Sequence, residues 1–248
     1  GTMALLQYRW LTGAAILFVY LLIRDRTLLR ANRATLLKAF LLGAVGHGLG
    51  STCFFKSLAY IPASSSTLIL YFYPAVVTLL SVIFFRMKAG RIVLLSLALV
   101  SGGCGLVFYD AFLKALDIRG ILFAAATMLI FSCSMIAMQI FLRRERFLTL
   151  NFYMVLFTGL VFVPFSNPLL IADLNARQIL LCLSLGLIPT AFAYVFLFRA
   201  IETVGSGYTA IFSTFEPVTT VVMAWLVLHE DIVPYQIAGM LLIIAGII

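Results

Sequence analysis

The stretch 64–85, SSSTLILYFYPAVVTLLSVIFF, decides the fold. It holds no charged side chain. The hydrocarbon core of a bilayer is about 30 Å thick and a helix rises about 1.5 Å per residue, so roughly 20 apolar residues cross it. Within the stretch, Ser64, Thr67, Tyr71, Pro74, Thr78 and Ser81 recur at spacings of three and four. That spacing places them on one face of an α-helix rather than on alternate faces of a strand. The reading is a membrane-spanning helix with one polar stripe.

Working outward, eight further apolar runs of similar length fall near 4–23, 35–58, 92–109, 119–142, 149–166, 178–200, 207–228 and 235–248. The last run stops at Ile248, short of a full span. Of the 248 residues, 64% are hydrophobic and 10% charged, against about 45–50% and about 25% in soluble domains. This balance disfavours soluble enzymes, nucleic-acid binders and secreted disulfide scaffolds. A transmembrane β-barrel would instead show segments of about ten residues with alternating polarity. The expected fold is therefore an all-α integral membrane protein with nine transmembrane helices.

The loops suggest an orientation. Arg24, Arg26, Arg30, Arg33, Arg86, Lys88, Arg91, Arg143, Arg144, Arg146 and Arg199 lie in alternate loops. The other loops carry only Lys114, Arg119 and Arg177 among bases, with Asp110, Asp117, Asp173, Glu230 and Asp231. The positive-inside rule puts the first set in the cytoplasm, so the net charge of +8 is an orientation signal rather than a nucleic-acid footprint. The first helix then runs from outside to inside, which implies a helix before residue 1. Gly1-Thr2-Met3 reads as a cloning remnant, and no cleavable signal peptide is visible.

A shift of 143 residues aligns the halves without a gap: Gly43 meets Gly186, Phe55 meets Phe198, Lys56 meets Arg199, Phe72 meets Phe215, Pro74 meets Pro217, Leu99 meets Leu242 and Gly103 meets Gly246. An offset of five helices inverts the second copy, a pattern of secondary transporters. The expected division is a first repeat over 1–113 with four helices and a second over 114–248 with five. The fifth helix, near Phe131, has no mate within the sequence.

Several segments resemble the EamA-type transporters of the drug/metabolite transporter superfamily, which have ten helices in two inverted five-helix repeats. The segments are Phe55-Lys56-Ser57-Leu58-Ala59-Tyr60-Ile61-Pro62-Ala63-Ser64, Tyr71-Phe72-Tyr73-Pro74, Ser213-Thr214-Phe215-Glu216-Pro217, Trp225-Leu226-Val227-Leu228-His229-Glu230 and Gln236 through Gly246. They are similar to the family's third-to-fourth, fourth, ninth and tenth helix motifs in order and spacing. Departures are His229, where the family usually has Gly, and Arg86-Met87-Lys88, where an acidic residue is common. The resemblance implies export of a small metabolite, an amino acid or related amphiphile, across the cell (inner) membrane.

Polar groups inside spans are costly and mark functional candidates. Ser206, Thr209, Ser213, Glu216 and Thr220 form a second stripe, and Gly43, His47, Gly50, Phe54 and Ser57 a third. His47, mid-span and matched in the repeat by Thr190, could bind a carboxylate or carry a proton. Glu216, before Pro217, could bind an amine or a proton. With Tyr8, Tyr71, Ser134 and Tyr194, these give the expected substrate-binding set: Tyr8, His47, Tyr71, Ser134, Thr190, Tyr194, Ser213 and Glu216. Lys56 and Arg199 near helix C-termini read as structural. Pro74 and Pro217 read as flexure points. Cys53, Cys104, Cys133 and Cys182 show no metal-ligand or disulfide spacing, so no cofactor or metal is expected. Partners are a small-molecule substrate, the bilayer, protons as coupling ion and a second copy; the glycine faces 101–105 and 239–246 suit either tight helix packing or dimerisation. The alternatives are a sugar-phosphate or nucleotide-sugar carrier, which would need several cavity cations, and an intramembrane enzyme, which would need acid/base groups meeting at one depth.

Overall fold

The computed structural model describes residues 2–88, 90–110, 116–165, 175–229 and 231–248. Lys114, Asp173 and Glu230 lie outside the described residues. Among the described residues, nine apolar helical segments follow one another: α1 (Ala4–Arg24), α2 (Arg33–Ser57), α3 (Ala63–Phe85), α4 (Arg91–Val107), α5 (Ile118–Leu142), α6 (Phe147–Val161), α7 (Ala176–Val204), α8 (Ser206–Val227) and α9 (Pro234–Ile247). Six are long and apolar enough to cross a membrane, and α4, α6 and α9 are shorter. No strand occurs among the described residues. In a bilayer only helices or closed barrels satisfy their backbone polar groups internally, so the all-α fold follows from the composition.

The helices break where sequence chemistry requires it. Proline lacks an N–H, and its ring clashes with the carbonyl four residues back. Accordingly the first part of α3 ends at Leu70 and the helix resumes at Tyr73, around Pro74. In α8 the first part ends at Ser213 and the second begins at Glu216, around Pro217. The two breaks are 143 residues apart, as are the starts of α2 and α7, α3 and α8, and α4 and α9. Wider π-helical turns interrupt α2 at Leu41–Leu49 and α7 at Leu187–Phe192. Three glycines lie in the first and Pro189 in the second.

The chain forms two compact units. Residues 1–49 and 137–203 make one, and residues 50–136 and 204–248 the other. Small residues govern helix packing in both, as expected where lipid removes the hydrophobic drive between helices. In the first unit, a Cβ on Gly43 would stand 2.4 Å from the Met154 carbonyl oxygen, and one on Gly186 2.3 Å from Thr12 Oγ1. Leu17, Leu21, Leu42, Leu150, Met154, Phe162 and Phe198 are buried in this unit. In the second unit, α4 and α9 pack glycine to glycine: a Cβ on Gly103 would stand 2.6 Å from the Gly239 carbonyl. The Ser96 hydroxyl donates to the Gly246 carbonyl. Gly102 and Gly105, by contrast, face open space.

The first unit is pinned at its basic-loop end. Asn32 caps α2 by accepting from the Thr35 amide at 2.8 Å. Lys38 Nζ donates to Glu145 Oε1 at 2.6 Å, and the Thr35 hydroxyl lies 2.7 Å from Oε2. Burial raises the Glu145 carboxyl, but these bonds outweigh it and leave the group below its ordinary value. Arg146 donates to Thr27 Oγ1, Thr149 to the Leu28 carbonyl and Tyr153 to the Leu29 carbonyl, fastening the 25–29 turn to the start of α6.

Candidate functional site

Each unit carries one cluster of polar and aromatic side chains. In the first, the wide turn of α2 places His47, 6% exposed, against Trp10 of α1 and Tyr194 of α7. Ring centroids lie 5.7 Å apart for Trp10–His47, 5.2 Å for Trp10–Tyr194 and 5.1 Å for His47–Tyr194. The Tyr194 hydroxyl and His47 Nδ1 hydrogen-bond at 3.2 Å. Next to the rings, Arg9 Nε donates to Thr190 Oγ1 at 3.0 Å, and Nη2 donates to the Pro189 carbonyl at 3.2 Å. Pro189 lies in the π-helical turn of α7. The Arg9 guanidinium sits 5.4 Å from the Trp10 ring centroid.

In the second unit, the break of α3 positions Tyr71 and Tyr73 on either side of Phe72. Both tyrosines are buried, and the Tyr71 phenol hydrogen-bonds with the side chain of Glu216 at the break of α8. The Tyr73 hydroxyl donates to the Ala210 carbonyl at 3.5 Å and hydrogen-bonds with the Ser213 side chain. Tyr71 stacks on Phe108 with centroids 5.6 Å apart, and Tyr73 meets Phe131 edge-on at 5.1 Å. Glu216 itself is exposed on the helix surface. The two proline breaks therefore bring a carboxyl and two phenols together.

Of the residues expected from sequence, His47 meets Tyr194 in the first unit, where Thr190 accepts from Arg9, and in the second Tyr71 meets Glu216 while Ser213 meets Tyr73. Tyr8 is buried on α1, its carbonyl accepting from Thr12 Oγ1. Ser134 is buried and donates to the Ile130 carbonyl of its own helix at 2.8 Å, a structural bond. Lys56 lies over the Phe123 ring, and Arg199 pairs with Glu202. The set expected from sequence left out Trp10, Arg9 and Tyr73. Arg9 had a visible signal, a cation inside an apolar run. Trp10 and Tyr73 had none, because an aromatic residue in a span is ordinarily lipid-facing or core.

The sequence matches the EamA-like transporter family over residues 1–109 and 118–248. The chain belongs to this family. Its fold recurs among 29 matching chains of known structure. In one, a crystal structure 17% identical in sequence, the match covers 99% of this chain and 85% of the other with a TM-score of 0.82. No curated protein matches the sequence. As an EamA-like protein the chain is a multi-pass membrane transporter, and its polar intramembrane clusters belong to a transport protein.

Proposed function

We propose that this EamA-like protein moves a small metabolite, an amino acid or related amphiphile, across the inner membrane by alternating access, in the export direction. The repeats are 1–113 and 114–248, and the proline breaks in α3 and α8 are the flexure points. The three-ring cluster of Trp10, His47 and Tyr194 carries this reading. A histidine 6% exposed within a membrane span is costly, and here it lies against the Tyr194 phenol and the Trp10 ring. That arrangement suits a substrate subsite with an apolar wall and a few polar handles. The Tyr71–Glu216 bond supports a second role, proton uptake and release that couples export to the gradient.

The test is flux in proteoliposomes over pH 5.5–8, the range around the free imidazole value of about 6.5. Amino acids and their amine and acid analogues serve as probes. His47→Ala is expected to cut transport about tenfold at unchanged reconstitution. Unchanged flux across that range assigns His47 to packing and removes the subsite.

A further inference from the structure

Arg9 stands inside the span of α1. The other ion pairs of the first unit are already made: Lys38 with Glu145, and Arg199 with Glu202. Asp25 is occupied at the 25–29 turn, where it accepts from both the amide and the hydroxyl of Thr27. Arg9 thus has no carboxylate partner among the described residues. Its bonds go to neutral oxygens, the Thr190 hydroxyl and the Pro189 carbonyl. Of the five N–H donors on a guanidinium, these use two. An intramembrane cation without a counter-ion is expensive, and a charge kept there marks a ligand path.

A second, independent observation points the same way. Trp10 is 3% exposed, and its indole Nε1 is buried with no acceptor among the described residues. A buried N–H without an acceptor forfeits its hydration for nothing unless a ligand supplies the acceptor. The guanidinium lies over this same indole. A cationic ligand, which the three rings alone would suit, is repelled by Arg9.

We infer that Arg9 and the Trp10 indole N–H form a carboxylate-binding site, taking the anionic end of a monocarboxylate whose apolar body lies on the rings of Trp10, His47 and Tyr194. Guanidinium and carboxylate match in planar, two-bond geometry. One cation neutralises one carboxylate, whereas a phosphate dianion would need more. The Thr190 and Pro189 oxygens orient the guanidinium from behind. This inference rests on the reading of the ring cluster as a substrate subsite and names the substrate class for it.

The experiment uses the full chain with Trp225→Phe, which leaves Trp10 as the sole tryptophan. Trp225 is exposed and lies in neither cluster. Indole emission is titrated with three probes of one shape: 3-phenylpropanoate, its primary amide and 2-phenylethylamine. The acid is expected to change emission saturably, with the amide about 10- to 100-fold weaker and the amine weaker still. Arg9→Gln should erase the preference for acid over amide while leaving the amide's own affinity in place. A merely structural Arg9 would lower both affinities together. Equal binding of acid and amide, or tighter binding of the amine, overturns the carboxylate assignment. If that binding is still lost in His47→Ala, the subsite survives its failure. Silence toward all three probes in the parent protein overturns both.

Discussion

Gly186→Ala tests the seam that carries the first cluster. A Cβ at residue 186 would lie 2.3 Å from Thr12 Oγ1, 2.8 Å from Thr12 Cβ and 2.9 Å from the Gly13 amide nitrogen. The last is backbone and cannot rotate away. Ordinary contact between such heavy atoms begins near about 3.5 Å, so α1 must withdraw from α7 by roughly 1 Å. Thr12 cannot yield freely, since its hydroxyl lies within bonding distance of the Tyr8 and Cys182 carbonyls. Overpacking of this kind costs about 1–3 kcal/mol. For a chain of this size that lowers Tm by about 2–12 °C. The same withdrawal stretches the 3.0 Å bond from Arg9 to Thr190, so acid binding should weaken with stability. Thr12→Ala in the same chain removes only the nearest of the three contacts and should restore part of the loss. Gly102→Ala is the counterpart: a Cβ there meets nothing within 4 Å, and helix propensity favours Ala by about 0.5–1 kcal/mol. The assay is thermal unfolding in detergent followed by near-UV circular dichroism. A Gly186→Ala protein as stable as its parent, or a Gly102→Ala protein that loses as much, refutes the close α1–α7 seam.

Three further outcomes are expected. Glu145 is held below its ordinary carboxylate value by Lys38 and Thr35, so its stabilisation is present above the unfolded value and is lost as pH falls through the folded one. Melting temperatures from about pH 7 down to about pH 3 should therefore fall less steeply in Glu145→Gln than in the parent, and parallel curves would contradict this. In Glu216→Gln the shape is kept but titration is removed; gradient-driven accumulation should disappear while counterflow exchange persists, and survival of both makes the Tyr71–Glu216 bond a strut. Asn151 is fully buried with neither amide atom partnered among the described residues, so Asn151→Leu should raise stability by about 1–3 kcal/mol; a lower Tm would show that the amide is satisfied in the membrane.

Much of this protein was written in its one-dimensional pattern. Long uncharged runs fix helices, because lipid offers backbone polar groups no other partner. Pro74 and Pro217 mark the breaks, because a missing N–H and a ring clash act within one turn. The offset of 143 could be read from Pro, Gly and basic positions, and the starts of α2 and α7, α3 and α8, and α4 and α9 follow it. These are local properties, decided over a few residues.

The grouping of side chains is another matter. Arg9 and Thr190 are 181 residues apart in the chain, and His47 and Tyr194 are 147 apart. Periodicity gives a face but not the neighbour that covers it. Ser134 was among the expected site residues, and its hydroxyl donates to the Ile130 carbonyl of its own helix. Trp10 satisfied none and stands among the rings of the first cluster. Sequence alone determined a helical membrane protein with two interrupted helices and polar stripes. Tertiary structure decided which stripes meet, because the closest approaches are set by pairs such as Gly13 with Thr190 and Gly186 with Thr12, whose fit exists only once distant helices touch.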